Sequence, residues 1–130
     1  MVRILAKEVM LKKIHTIKPD EKVALARLKM FRHAVGALPV VNDDGTLVGI
    51  ITLRDVDFAG IAGADVSSLA VKDLMTTELL LGSESTSIAE ISDIMLKTGI
   101  QRIPIVNGNK KLLGLVTQTV VIRAVRSLLD

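Results

Sequence analysis

The stretch from Val35 to Val56 reads VGALPVVNDDGTLVGIITLRDV and predicts two strands, a turn and the start of a helix. Apolar residues surround Pro39, and Asn42–Gly45 supplies turn chemistry, because Asn and Asp bond to nearby backbone and Gly accepts positive φ. The returning run is rich in β-branched residues, which favour strands. Thr52 fits a helix N-cap, and Asp55 stands three residues later, where a capping box places an acidic or amide side chain. A hydroxyl and a carboxylate are therefore expected together at a helix N-terminus, whose free N–H groups attract anions.

Most of this pattern occurs twice, with an offset of 65 residues. The matched landmarks are Met10 and Met75, Pro39 and Pro104, Gly49 and Gly114, and Thr52 and Thr117. Because no insertion or deletion separates the copies across these landmarks, we interpret the chain as an internal duplication. Each half alone is too small to bury its apolar faces, so the halves are expected to pack on each other.

Each copy is predicted to follow the order β-α-β-β-α, an α/β (α+β) fold in which helices cover a small sheet. The first copy has a helical lead-in at 3–10, a strand at 14–17, a helix from an Asp20 N-cap to His33, the strands described above, and a helix at 53–58. The second copy has a lead-in at 71–75, a strand at 79–81, a helix from Thr86 or Ser87 to Lys97, strands at 102–106 and 111–116, and a helix at 118–128.

Composition excludes several classes of protein. The 130 residues include no cysteine, which rules out disulfides, thiolate metal sites and a Cys nucleophile. No apolar run approaches the roughly 18 residues that span a bilayer, and Met1-Val2-Arg3 leads into an amphipathic pattern, not a signal peptide. A soluble, cytoplasmic protein with no membrane partner is expected.

The charge permits nucleic-acid binding but does not favour it. The net charge is +3 and the pI is near 9.4, with Lys and Arg scattered along the chain. Trp and Tyr are absent, and the only two Phe residues are Phe31 and Phe58. An aromatic platform on which bases could stack is therefore not available. A solvated surface of mixed charge is the preferred interpretation.

Each half resembles a cystathionine-β-synthase (CBS) domain, and the tandem resembles the pair called a Bateman module. The matching residues are the strand at 38–41 with its Pro-Val pair, the Asp-Asp-Gly turn at 43–45, the Gly-Ile-Ile-Thr run at 49–52, and Asp55. The resemblance implies two repeats packed with pseudo-two-fold symmetry. The first domain would span residues 1–62, the linker 63–70 and the second domain 71–130.

The resemblance also implies a function. CBS pairs of this size are regulatory, and they bind adenosine-containing ligands such as AMP, ADP, ATP or S-adenosylmethionine in clefts between the repeats. We therefore expect a stand-alone ligand-sensing module without an obligatory cofactor, which forms homodimers through its helices and relays binding to a possible protein partner by conformational change. An enzyme is not expected, since no nucleophile–base set, carboxylate pair or metal spacing is visible.

By the same resemblance, the Thr and Asp of the strand-to-helix junction, Thr52 and Asp55, hold the phosphate and ribose of the ligand. The adenine would lie against apolar backbone. The candidates for that wall are Val35, Gly36 and Ala37, together with Ile14 and Thr16. The alternative for Thr52 and Asp55 is a helix cap only, and for the small residues it is ordinary close packing.

The second copy departs from the pattern. Thr117 is retained, but Val120 stands where the first copy has Asp55, so the strongest sugar contact is lost there. Arg102, with Gln101 before it, stands where related proteins often carry a basic residue facing phosphate. The alternative interpretation of Arg102 is an exposed charge at a strand edge. This second site is either empty or binds in another way.

A structural dimerisation or adaptor domain with vestigial ligand sites is the alternative function, which Val120 favours and Asp55 opposes. The two histidines, His15 and His33, are isolated in the sequence and lack the spacing of a metal site. Each is interpreted as a surface or internally satisfied histidine.

Overall fold

The computed structural model describes residues 3–129. The predicted domain limits at Met1 and Asp130, and the expectation about Met1-Val2, lie outside these residues. The fold is a mixture of helices and small antiparallel sheets, as predicted. None of the helices between Arg3 and Leu129 combines the length and the apolar character that crossing a membrane requires.

The elements follow the predicted order closely. The helices are α1 (Ala6–Val9), α2 (Val23–His33), α3 (Leu53–Ile61), α4 (Val71–Leu74), α5 (Ile88–Thr98) and α6 (Gln118–Arg126), with a 3₁₀ turn at Val66–Ser68. The strands are β1 (Ala37–Val41), β2 (Leu47–Thr52), β3 (Arg102–Val106) and β4 (Leu112–Thr117).

The strands form two antiparallel pairs, β1 with β2 and β3 with β4. The two pairs have matching registers, which place Ala37 opposite Thr52 in one and Arg102 opposite Thr117 in the other. The turn between β1 and β2 uses Gly45 at a φ of 87°, a conformation that glycine accepts without a steric penalty.

The predicted strands at 14–17 and 79–81 are wrong. The first contains a single parallel bridge, Ile17 with Val40, and the second is followed by one, Gly82 with Ile105. In the first, the Ile17 N–H donates to the Pro39 carbonyl at 3.1 Å and the Ile17 carbonyl accepts from the Val41 N–H at 2.9 Å. The next residue that would face β1 is Pro19, which has no N–H to continue the ladder.

The Asp20 cap is also wrong. Lys22 is the N-cap of α2, without a side-chain capping bond, and the Val23 N–H donates instead to the Leu69 carbonyl at 3.0 Å. The Asp20 carboxylate pairs with the Lys72 ammonium at 3.0 Å. Ser87, by contrast, caps α5 as expected, accepting from the Glu90 N–H at 3.1 Å.

The chain forms two compact units, one of residues 1–14 with 80–130 and the other of residues 15–79. These units differ from the predicted sequence domains 1–62 and 71–130. The lead-in of each copy lies in the unit that contains the rest of the other copy. We call the unit of residues 15–79 the first-copy unit and the other the second-copy unit.

In each unit, a methionine of the lead-in packs against a strand glycine, and this contact explains the division. In the first-copy unit, a Cβ on Gly49 would lie 2.8 Å from the Met75 sulfur and 2.9 Å from the Thr76 carbonyl oxygen. In the second-copy unit, Met10 packs on Gly114 in the same way. Glycine in these strands therefore permits the close approach of another segment.

We expect Gly49→Ala to destabilise the fold by about 1–3 kcal/mol, because the new methyl group would overlap a backbone oxygen that cannot move independently. Gly60→Ala in α3 is the matched control. That position has nothing within 4 Å of an added Cβ, and the substitution should stabilise by about 0.5–1 kcal/mol. Urea unfolding measures both changes, and equal free energies of unfolding for the two variants would contradict the packing role of Gly49.

Candidate functional site

The junction of β2 and α3 forms a complete capping box. The Thr52 hydroxyl oxygen accepts from the Asp55 N–H at 3.0 Å, and the Asp55 Oδ2 accepts from the Thr52 N–H at 3.0 Å. Both residues are half-buried. The prediction that a hydroxyl and a carboxylate lie together at this helix start is therefore confirmed.

Part of this arrangement is structural. A carboxylate also accepts from the N-cap N–H at α1, where Glu8 bonds Leu5 at 2.7 Å, and at α4, where Asp73 bonds Ala70 at 2.9 Å. The bond to Thr52 uses only Oδ2 of Asp55. Among residues 3–129, no hydrogen bond is formed to Oδ1 of Asp55, which leaves that oxygen for another partner.

The small residues before β1 lie beside this junction. The Gly36 carbonyl accepts from the Leu53 N–H at 2.9 Å, and Ala37 pairs with Thr52 across the two strands. Val35 is exposed and Ala37 is buried. The structure therefore brings Val35, Gly36 and Ala37 to the same end of the sheet as the capping box.

Thr16 reaches this end from the other side of β1. The parallel bridge between Ile17 and Val40 directs the preceding residues toward the start of β1. Lys29, which sequence reasoning missed, fixes Thr16 by donating from Nζ to its carbonyl at 3.1 Å. Ile14, the other predicted wall residue, belongs to the second-copy unit.

The second copy builds the same junction without the acid. The Gln101 carbonyl accepts from the Gln118 N–H at 3.1 Å, and Thr117 caps α6 by accepting from the Val120 N–H at 3.2 Å. Val120 is only 4% exposed and packs in the core of its unit. The helix thus starts normally with an apolar residue at the position of Asp55.

Arg102 gives the second site a cation in place of the carboxylate. It is half-buried and lies directly opposite Thr117 in the strand pair. Burial lowers the pKa of its guanidinium, which reflects the cost of holding a charge partly away from water. Within the described part of the chain, Arg102 forms no ion pair. An anion at this position would offset that cost.

The two histidines are surface residues, as the sequence-based interpretation allowed, but they contact each other. The rings of His15 and His33 stack with centroids 3.6 Å apart and planes 8° from parallel. Both side chains are exposed. Their 18-residue separation gives no sequence motif, and only the return of the chain beside β1 brings them together. Residues 3–129 contain no group of three or more His, Asp or Glu side chains that could hold a metal ion.

Known proteins are similar to this chain in sequence and in fold. The CBS domain profile matches residues 6–60 and 71–127. The CBS domain-containing protein YhcV of Bacillus subtilis is 34% identical over 110 residues, which are 85% of this chain and 77% of that protein. An inosine-5'-monophosphate dehydrogenase of Methanocaldococcus jannaschii is 34% identical over 112 residues, or 86% of this chain, but the match spans only 22% of the dehydrogenase.

Among solved structures, CBSX2 of Arabidopsis thaliana in complex with AMP superimposes with a TM-score of 0.87 and is 28% identical, over 98% of this chain and 99% of that one. The duplicated junctions, the profile matches over both copies and the similarity to a CBS pair agree. The chain therefore belongs to the CBS-domain family and carries two CBS domains in tandem.

Proposed function

We propose that this CBS pair is a non-catalytic regulatory module that senses an adenosine-containing ligand, with AMP, ADP, ATP and S-adenosylmethionine as the candidates. The AMP complex of CBSX2, which is 28% identical, supports this class of ligand. The observation that carries the proposal is the half-buried Asp55 carboxylate, which uses one oxygen for the helix cap and keeps the other available.

The comparison of the two copies supports a role for Asp55 beyond capping. Helix α6 begins at Thr117 without a carboxylate, so the fold does not need one at this position. A carboxylate accepts well from the two vicinal hydroxyls of a ribose. Thr52 carries a hydroxyl at the start of α3, where a helix N-terminus favours phosphate. Asp55 would thus hold the sugar, and Thr52 the phosphate.

The remaining wall of the first-copy site would be backbone. Gly36 and Ala37 present little side chain beside the capping box, so a flat base could lie against the main chain. Val35 and Thr16 would add apolar and polar edges. Ile14 lies in the second-copy unit and is not assigned to this wall.

The second-copy site would have a different preference. Its Val120 is buried and cannot accept from a ribose, whereas Arg102 offers a half-buried cation beside the Thr117 hydroxyl. We assign Arg102 and Thr117 to a phosphate group, with Gln101 adjacent. This loss of the acid is also the observation that favours the alternative, an adaptor domain with vestigial sites.

Regulation would require the ligand to bind one conformation of the pair more tightly than another. A ligand with equal affinity for two states shifts neither, however tightly it binds. A protein partner would then recognise the state that the ligand favours, which makes the coupling reciprocal.

Homodimer formation is part of the proposal. Phe31 on α2 and Leu96 on α5 occupy equivalent positions in the two copies and are 85% and 84% exposed. A homodimer would remove these two apolar side chains from water, which is favourable. Light scattering should give twice the 14.0 kDa mass of the chain, and a mass of one chain would contradict the dimer.

We predict that Asp55→Asn weakens binding of AMP at least about tenfold, because a charge-assisted hydrogen bond to the ribose is lost. The amide oxygen of Asn can still accept from the Thr52 N–H, so the cap and the melting temperature should change little. Asp57→Asn, two residues further along α3 and exposed, is the matched control and should bind as the wild type does. Titration calorimetry measures all three proteins.

Unchanged affinity in Asp55→Asn would contradict the ribose contact. Absence of binding in the wild type for all four candidate ligands would instead favour the adaptor function.

A further inference from the structure

Four basic residues lie near the C-terminal end of α2 in the first-copy unit. Lys29, Arg32 and His33 stand on the last turns of the helix, at spacings of three and four residues that place side chains near each other. His15 stacks on His33 at 3.6 Å, and Lys29 holds the residue after His15 through the bond to the Thr16 carbonyl. The cluster therefore joins two segments by specific contacts.

Among residues 3–129, no carboxylate forms an ion pair with any of these four side chains. Contact with its neighbours partly desolvates the exposed His33 ring and lowers its pKa, and the charges of His15, Arg32 and Lys29 lower it further. These three neighbouring charges are all basic. Two other cations of the same unit do have carboxylate partners, since Lys18 pairs with Asp43 and Lys72 pairs with Asp20. Backbone carbonyls at the end of α2 supply only the partial negative charge of a helix C-terminus.

We propose that His15, Lys29, Arg32 and His33 form a binding site for an oxyanion of the phosphate class. Imidazolium, ammonium and guanidinium groups are all donors, and they bind phosphate and sulfate by charge-assisted hydrogen bonds. Two protonated rings in a stack repel each other, and an anion beside them offsets that repulsion. Anion binding is therefore coupled to proton uptake by His33. The proposal rests on the cluster itself and not on the adenosine contacts proposed above.

The second copy provides an internal control. The positions equivalent to the four basic residues, 65 further along, are Leu80, Ile94, Lys97 and Thr98. Only one of them is basic, so the cluster is a feature of the first copy alone. Lys97 is exposed and lies near the end of α5, as Arg32 does in α2. Lys97→Gln is therefore a matched variant that removes a similar charge without altering the cluster.

The chain contains only two histidines, so NMR resolves both imidazoles directly. Sulfate is the first probe, because its charge stays constant over the relevant pH range, and sodium chloride of equal ionic strength is the reference. Sulfate should raise the pKa of His33 relative to chloride. Without an anion the pKa of His33 lies below 6.5, so sulfate binding should strengthen as the pH falls below that value and the His33 ring takes up a proton.

Lys29→Gln and His33→Gln should each weaken sulfate binding at least about threefold, a modest factor because the groups are solvent-accessible. Lys97→Gln should bind sulfate as the wild type does. Equal responses to sulfate and chloride would overturn the proposal. An equal loss in Lys97→Gln and Lys29→Gln would also overturn it, since it would indicate non-specific attraction to a basic surface.

Inorganic phosphate, AMP and adenosine then distinguish the source of the anion. A response of the imidazoles to inorganic phosphate supports a site for the free ion. A response to AMP alone, and not to adenosine or inorganic phosphate, supports a site for a phosphate carried by a nucleotide. Repeating the sulfate titration on Asp55→Asn separates this site from the ribose contact. The affinity of the basic cluster for sulfate should be the same in this variant as in the wild type.

Discussion

The close contact between a lead-in methionine and a strand glycine is the constraint on which both compact units depend. In the first-copy unit, Met75 lies over Gly49, and the next residue, Thr76, exchanges two backbone hydrogen bonds with Ile50 at 2.8 and 3.0 Å. Strand β2 is therefore held on one edge by β1 and on the other by the lead-in of the second copy. The end of β2 is where Thr52 begins the candidate site, so the position of the site follows from this packing.

The two copies show how one scaffold can carry different chemistry. Each junction keeps a threonine as the helix cap, and each keeps a carbonyl before the strand that accepts from the first helical N–H. Only the side chains around this frame differ. The first copy has the acid Asp55 and the small Ala37, whereas the second has the buried Val120 and the cation Arg102. A carboxylate favours sugar hydroxyls and a guanidinium favours anions, which is why we propose different ligand contacts for the two copies.

Local sequence patterns predicted the elements that local chemistry determines. The strand pairs, the turn at Gly45 and the caps at Thr52 and Ser87 all follow from residues close together in the chain. The predicted strands at 14–17 and 79–81 failed because β propensity does not show whether a neighbouring strand continues beside the segment. The prediction of Asp20 as a cap failed because its carboxylate pairs with Lys72, which is 52 residues away in the sequence.

Other features could not be predicted because they depend on tertiary structure. The exchange of lead-ins between units depends on which glycine admits a methionine, and an internal repeat contains equivalent glycines in both copies. The stack of His15 on His33 and the bond from Lys29 to Thr16 likewise join segments with no shared motif. The sequence did predict the capping box of Thr52 and Asp55, since a carboxylate three residues after a capping threonine is a local pattern.

The most direct test of ligand sensing is a thermal-shift measurement on the wild-type chain with adenosine, AMP, ADP, ATP and S-adenosylmethionine, with GMP as the comparison. A ligand that binds only the native state raises the melting temperature by mass action. If the chain senses an adenosine compound, at least one adenine ligand should raise the melting temperature and GMP should not. Unchanged melting temperatures with every compound at millimolar concentration would contradict the sensing function.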